Sequence, residues 1–188
     1  MNRNADDILN ELLVLRAQQG DSTAMQTLVR RWHPKLIRHA RNLTERHDVA
    51  ADVVQEGWLA IFRGLHRLKD PATFRSWAYR IVHHKSVDWI RSQSRQRTLN
   101  QEAENLAKSE TFDSTDGTGD VEQLRMAIRR LPKEQRMLLQ MFYFEDMSLS
   151  EIAAVVDTPK GTLKFRLFSL RKQLKQMIER DKNEQRPD

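Results

Sequence analysis

Six histidines and no cysteine limit the chemistry open to these 188 residues. Thiolate nucleophiles, thiolate metal sites and disulfides are excluded. His83 and His84 are adjacent, so on a helix they point in different directions and cannot form the i, i+4 pair of a zinc site. His47, Asp48 and Asp52 could offer ligands, but a solvated helix start accounts for them more simply. The chain contains no G-x-S-x-G elbow and no G-x-x-x-x-G-K-[ST] phosphate loop. The expectation is a protein with no catalytic residues, no metal and no cofactor.

The side chains whose type and spacing can do work are cationic. Lys160, Lys164, Arg166, Arg171, Lys172 and Lys175 follow one another with no acid before Glu179. Leu163, Leu167, Leu170, Leu174 and Met177 interleave at i, i+4, i+7, i+11 and i+14, which is one apolar stripe of a helix. A short capped helix precedes it: Ser148-Leu-Ser-Glu151 reads as a capping box, and Asp157-Thr158-Pro159 as a turn with Thr158 as N-cap. Short helix, tight turn and longer basic helix make a helix-turn-helix, whose second helix fits the major groove. Lys160, Gly161, Thr162, Lys164, Phe165, Arg166, Ser169, Arg171 and Lys172 are its candidate DNA contacts. The bland alternative is a solvated basic face in a helical bundle, which the capped short helix and tight turn disfavour. Phe168 could simply widen the core stripe, and the sequence leaves its role open. Phe165 lies away from the leucines, where it could meet thymine methyls, or equally the chain's own linker or a partner protein.

A second basic row runs through Arg80, His83 or His84, Val87 and Arg91, with Arg95 and Arg97 beyond, and suits a phosphate backbone. Its helix is expected to bury Phe74, Trp77, Ala78 and Ile81. Before it, Leu68, Lys69, Asp70, Pro71, Ala72 and Thr73 form a break in which Asp70 can cap. The preceding helix, from Val49 to Leu68, carries Val54, Trp58, Ile61, Phe62 and Leu65 on one stripe. Asp52, Gln55, Glu56, Leu59 and Arg63 lie opposite, so an apolar residue stands exposed among polar ones, as a protein contact or as an ordinary solvated face.

The elements that position these residues are helices throughout. Helical spacing covers residues 7–97 and 121–181, with Pro34 expected to interrupt or kink one helix, and no strand-like alternation appears. Between them, Gln101 to Glu122 holds seven acids against one base, a net −6 that leaves +12 on the flanks of a chain of +6 overall. Ser, Thr, Asp and Gly cluster there, as in a tether. The expected fold is all-α, in two small helical domains: an N-terminal bundle (1–97) and a C-terminal helix-turn-helix domain (122–188), joined by an acidic flexible linker (98–121). The basic surplus points to an anionic partner. Neither a signal peptide nor a transmembrane stretch is recognisable, so a cytoplasmic location without membrane insertion is expected.

Several segments resemble one family. Glu151-Ile-Ala-Ala, Pro159-Lys-Gly-Thr-Leu-Lys164, Arg166-Leu167 and Arg171 resemble the −35-reading helix-turn-helix of extracytoplasmic-function sigma factors, and Leu131-Pro132-Lys-Glu-Gln-Arg136 resembles the helix before it. Asp52-Val-Val-Gln55-Glu56-Gly-Trp-Leu59 resembles the family's core-polymerase helix, and Phe74-Arg-Ser-Trp77, Ile81, Asp88 and Arg91 its −10 helix. The resemblance implies a specificity subunit that binds core RNA polymerase and promoter DNA, with an anti-sigma factor as a further candidate partner. Asp52, Gln55, Glu56, Leu59 and Arg63 would bind polymerase; Arg80, His83, His84, Arg91 and Arg95 the −10 DNA; and the loop Leu68–Thr73 a base flipped from the non-template strand. The acidic linker would be a plain tether or an RNA mimic in the polymerase channel. His84 stands where the family usually has Asn, and Phe165 where it usually has Ser, so base preferences do not transfer. The alternative from another class is a free-standing, dimeric helix-turn-helix regulator. The absence of an obvious dimerisation helix and the second basic helix argue against it.

Overall fold

The computed structural model describes residues 5–99 and 119–184. It is helical, with no strand among the described residues, and it divides into two compact units, Met1–Ser109 and Glu110–Asp188. Most of the acidic connector, 100–118, lies outside the described residues.

The first unit comprises α1 (Ala5–Gln18), α2 (Ser22–Thr44), α3 (His47–Gly64) and α4 (Phe74–Leu99). α2 is the hub, packing on the other three. Leu28, Trp32, Leu36 and Ala40 of α2 meet Val54 and Ile61 of α3 and Ala78, Tyr79 and Val82 of α4 in one buried core. Pro34 does not end α2, which runs unbroken from Ser22 to Thr44. A mid-helix proline costs about 3 kcal/mol or more. Here Trp32 and Leu36, buried on either side of it, outweigh that cost. Asp21 caps α2 by accepting from the Thr23 and Ala24 amides, and Gly20 makes the preceding turn at φ +91°.

α3 and α4 approach closely at Gly57, where an added Cβ would lie 2.8 Å from Val82 Cγ2. Alanine would gain helix propensity of about 1 kcal/mol, but it must displace a wholly buried valine. Gly57→Ala is expected to destabilise this unit by about 1–2 kcal/mol. All four tryptophans (Trp32, Trp58, Trp77 and Trp89) belong to this unit, so urea unfolding followed by tryptophan fluorescence reads it alone. An unchanged midpoint would mean that the helices separate without cost.

The second unit comprises α5 (Gly119–Arg129), α6 (Lys133–Leu139), a π turn (Gln140–Phe144), α7 (Leu149–Val156) and α8 (Lys160–Glu184). α8 is the spine against which α5, α6 and α7 pack. Leu163, Leu167, Leu170 and Leu174 are buried among Ala127, Leu131, Leu138, Ile152 and Val155. Met177 is only half-buried. At the far end of α8, Arg130 Nη1 donates to both carboxylate oxygens of Asp181 at 3.0 Å.

Candidate nucleic-acid interface and partner surface

The turn that aims α8 is built from local bonds. Ser148 Oγ accepts from the Glu151 amide while the Glu151 carboxylate accepts from the Ser148 amide, so the capping box forms in both directions. Asp157 closes α7 in the left-handed region at φ 48°. Thr158 does not cap α8. Its hydroxyl donates back to the Val156 carbonyl, and the first helical bond of α8 runs from the Leu163 amide to the Pro159 carbonyl. With four leucines facing inward, Lys160, Gly161, Thr162, Lys164, Phe165, Arg166, Ser169, Arg171 and Lys172 are all exposed. Arg171 is held in place: its Nε donates to the Tyr143 hydroxyl at 2.6 Å, and its guanidinium lies over the Phe142 and Tyr143 rings. Phe168, whose role the sequence left open, is 64% exposed and does not widen the core stripe. The four leucines already fill the buried stripe, and residue 168 falls well outside it on a 3.6-residue helix.

On α4, Arg80, His84, Arg91 and Arg95 are exposed along one outward row. Arg80 Nε and His84 Nε2 lie 3.4 Å apart, one turn from each other. His83 does not share this face. It is 8% exposed and its ring sits 5.6 Å from that of His39, because position 83 follows buried Tyr79 by one turn and so points into the bundle. The outward row therefore runs through His84. Trp77 is half-buried, its ring 6.2 Å from that of Phe74 and its six-membered edge against Gly64.

The loop before α4 is ordered by its own polar groups. The Asp70 carboxylate accepts from the Ala72 amide at 3.0 Å, and Thr73 Oγ1 donates to the Asp70 carbonyl at 2.7 Å. Gln18 of α1 donates from Nε2 to the Leu65 and Leu68 carbonyls at 2.9 and 2.8 Å, which pins the near end of the loop. Lys69, Asp70, Ala72 and Thr73 are exposed, while Leu68 and Pro71 are half-buried. Gln18 was not legible as a loop anchor, because a glutamine 50 residues away carries no local signal.

α3 presents Asp52, Gln55, Glu56, Leu59 and Arg63 outward. Leu59 is 49% exposed, and Phe62, read from the sequence as part of the buried stripe, is exposed beside it. Glu56 accepts from Lys85 of α4 at 2.9 Å, so it is partly committed within the bundle. Asp48, considered above as a ligand, is engaged by Arg46, whose guanidinium bond holds its carboxyl below the usual range. Among the described residues no cluster of histidines and acids is placed to hold a metal ion, and no helix is long and apolar enough to cross a membrane.

Two family profiles match this chain, sigma-70 region 2 over residues 28–96 and sigma-70 region 4 over residues 121–174. Curated relatives include the extracytoplasmic-function RNA polymerase sigma-E factors of Haemophilus influenzae and Escherichia coli K12. Each is 27% identical over 186 residues, covering 93% of this chain and 98% and 97% of the relative. The chain belongs to the extracytoplasmic-function sigma factors. Solved structures share its fold. The sigma factor RpoE of Bartonella quintana, in complex with the anti-sigma factor NepR, superposes with TM-score 0.69 at 19% identity, over 82% of this chain and 96% of that one. CnrH, in complex with the cytosolic domain of CnrY, gives TM-score 0.63 at 22% identity, over 92% of this chain and 99% of that one.

In this sigma factor the two matched regions fall one in each compact unit. It acts in transcription initiation, and the free-standing regulator is not favoured. Phe62, which the sequence places on the apolar stripe, and Phe168, which it leaves open, are both exposed. Phe62 stands at the margin of a stripe already complete without it, whereas the helical phase of Phe168 puts it well outside the leucine stripe.

Proposed function

We propose that the sigma factor divides its work by surface. Residues 1–97 form the region 2 domain: α3 docks on core RNA polymerase through Asp52, Gln55, Glu56, Leu59 and Arg63. α4 follows the −10 DNA through Arg80, His84, Arg91 and Arg95, and the loop Leu68–Thr73 accepts a flipped base. Residues 122–188 form the region 4 domain, in which α8 reads the −35 element, and residues 98–121 tether the two. The single observation that carries this reading is the outward basic face of α8, free of acids from Lys160 to Ile178, set behind a fully formed capping box and tight turn. Flipping a base costs a few kcal/mol, which contacts and stacking of roughly 1–3 kcal/mol per base can offset, so melting follows from binding without a reaction catalysed by the sigma factor itself. The protein works in the cytoplasm, where polymerase and promoters are, and an anti-sigma factor is a further partner.

The test is holoenzyme assembled from the full chain and core polymerase, footprinted on promoters found by mapping its start sites on host genomic DNA. Protection is expected over −35 and −10 elements only when core polymerase is present; protection by the protein alone would return the regulator to first place. Lys164→Ala should weaken binding across promoters of different sequence and lower the slope of log K against log salt by about one, as loss of a phosphate contact does. An unchanged salt slope would remove Lys164 from the phosphate contacts.

A further inference from the structure

The face of α8 directly opposite its leucines is apolar at its centre. Phe165 is 69% and Phe168 64% exposed, and they stand at i, i+3, so they are neighbours on the helix surface. Gly161 precedes them on the same face, and nothing within 4 Å stands over its open position. Lys160, Lys164, Lys172 and Lys175 surround the pair, all exposed. An exposed aromatic pair costs solubility and does nothing for this core, whose stripe is already filled by Leu163, Leu167, Leu170 and Leu174. The ring of cations fixes the chemistry of what covers it: a polyanion that also offers apolar groups between its charges. Duplex DNA is such a polyanion, because each thymine projects a C5 methyl into the major groove between two phosphate walls.

We infer that Phe165 and Phe168 read thymine methyl groups at adjacent or next-adjacent base pairs of the −35 element. The dimensions agree. Three residues of helix advance about 4.5 Å, against about 3.4 Å per base pair along a strand. Neither ring has a polar atom, so it cannot satisfy a base's donors and acceptors. It can exclude water from a methyl, and it penalises a cytosine or guanine at the same place by burying polar groups without partners. Selectivity at these positions is thus apolar, while the surrounding lysines hold the helix in the groove without regard to sequence. The inference rests on α8 lying in the major groove, and its test separates the two.

The experiment uses holoenzyme and its own mapped promoter. Each thymine of the −35 element is replaced in turn by deoxyuridine, which keeps the Watson–Crick edge and the O4 acceptor and deletes only the methyl. At one or two neighbouring positions, affinity of the unaltered holoenzyme is expected to fall about fourfold per methyl removed. Phe165→Ser and Phe168→Ser should each erase the methyl dependence at one position. Both changes are at exposed sites, and helicity by circular dichroism verifies the fold. If the −35 element is protected but every deoxyuridine promoter binds like its parent, the pair reads no methyls and the inference falls while α8 keeps its place. If no −35 protection is seen, α8 is not in the groove and both fall. If the serine variants lose affinity for core polymerase in the absence of DNA, the pair belongs to a protein contact instead.

Discussion

Leu59→Asp is expected to weaken binding to core RNA polymerase by roughly 30- to 100-fold, with no loss of stability. Leu59 is 49% exposed on α3, and Phe62 stands beside it as a second exposed apolar side chain. Asp52, Gln55 and Arg63 ring them as a polar rim. That is the arrangement of an interface hot spot, an apolar centre that a partner desolvates and polar neighbours that exclude water around it. An aspartate at the centre would lose its hydration on docking, which rim-exposed Arg63 one turn on offsets only in part, so the cost comes from the complex and not from the free protein. In the free protein the position faces solvent, and surface changes of this kind shift stability by no more than about 0.5 kcal/mol. Glu56 makes a less clean probe. Its removal also frees Lys85, and part of any effect would come from the α3–α4 contact. The measurement is a titration of labelled protein with core polymerase, beside urea unfolding read by the four tryptophans. Equal affinity for the variant and the parent would take this face away from polymerase and leave it an ordinary solvated surface.

The elements of this molecule were more legible in the sequence than the orientation of their side chains. Helical spacing, Gly20-Asp21, Asp70-Pro71 and the Ser148–Glu151 box are local signals, and each stands in the structure where local physics puts it. What eluded the sequence depends on phase or on distant partners. Arg80 can be followed at i+3 or i+4, and both positions are histidine, so spacing alone left His83 and His84 open. The bundle decides, because Tyr79 and Val82 are buried and carry His83 inward with them. Phe62 fails for a related reason: an apolar residue at the margin of a stripe can face either way, and how full the core already is decides which. Pro34 is the opposite case. A strong local rule gives way because Trp32 and Leu36 bury enough surface to hold the helix together. Thr158 has the residue type of a cap, yet its hydroxyl satisfies a carbonyl that the left-handed turn at Asp157 leaves within reach.

Acid should unfold the N-terminal unit through His39, and replacing that residue should remove most of the effect. His39 is wholly buried on α2, with Tyr79 of α4 edge-on at 5.1 Å between ring centroids and His83 of α4 at 5.6 Å. Neither of its ring nitrogens has a hydrogen-bond partner among the described residues. Burial disfavours the imidazolium, and the neighbouring His83 adds to this, so the pKa falls from 6.5 to about 3. A base whose folded pKa lies below its unfolded value contributes fully above the unfolded pKa, and its contribution is lost as pH falls from about 6.5 towards 3. The loss over that window is on the order of a few kcal/mol, a large share of a small domain's stability. Phenylalanine has a similar shape and no nitrogen to desolvate. His39→Phe should therefore raise stability at pH 7.5 by about 1–3 kcal/mol and flatten the acid limb. Tryptophan-monitored urea unfolding at pH 7.5, 6.0 and 5.0 checks both. Parallel pH profiles for the parent and His39→Phe would shift the acid sensitivity to another group and leave His39 an inert core residue. The position matters for function because the His39 ring packs on that of His83, the chain neighbour of outward His84 on α4. A proton taken up there would loosen the α2–α4 packing that holds the −10-facing helix.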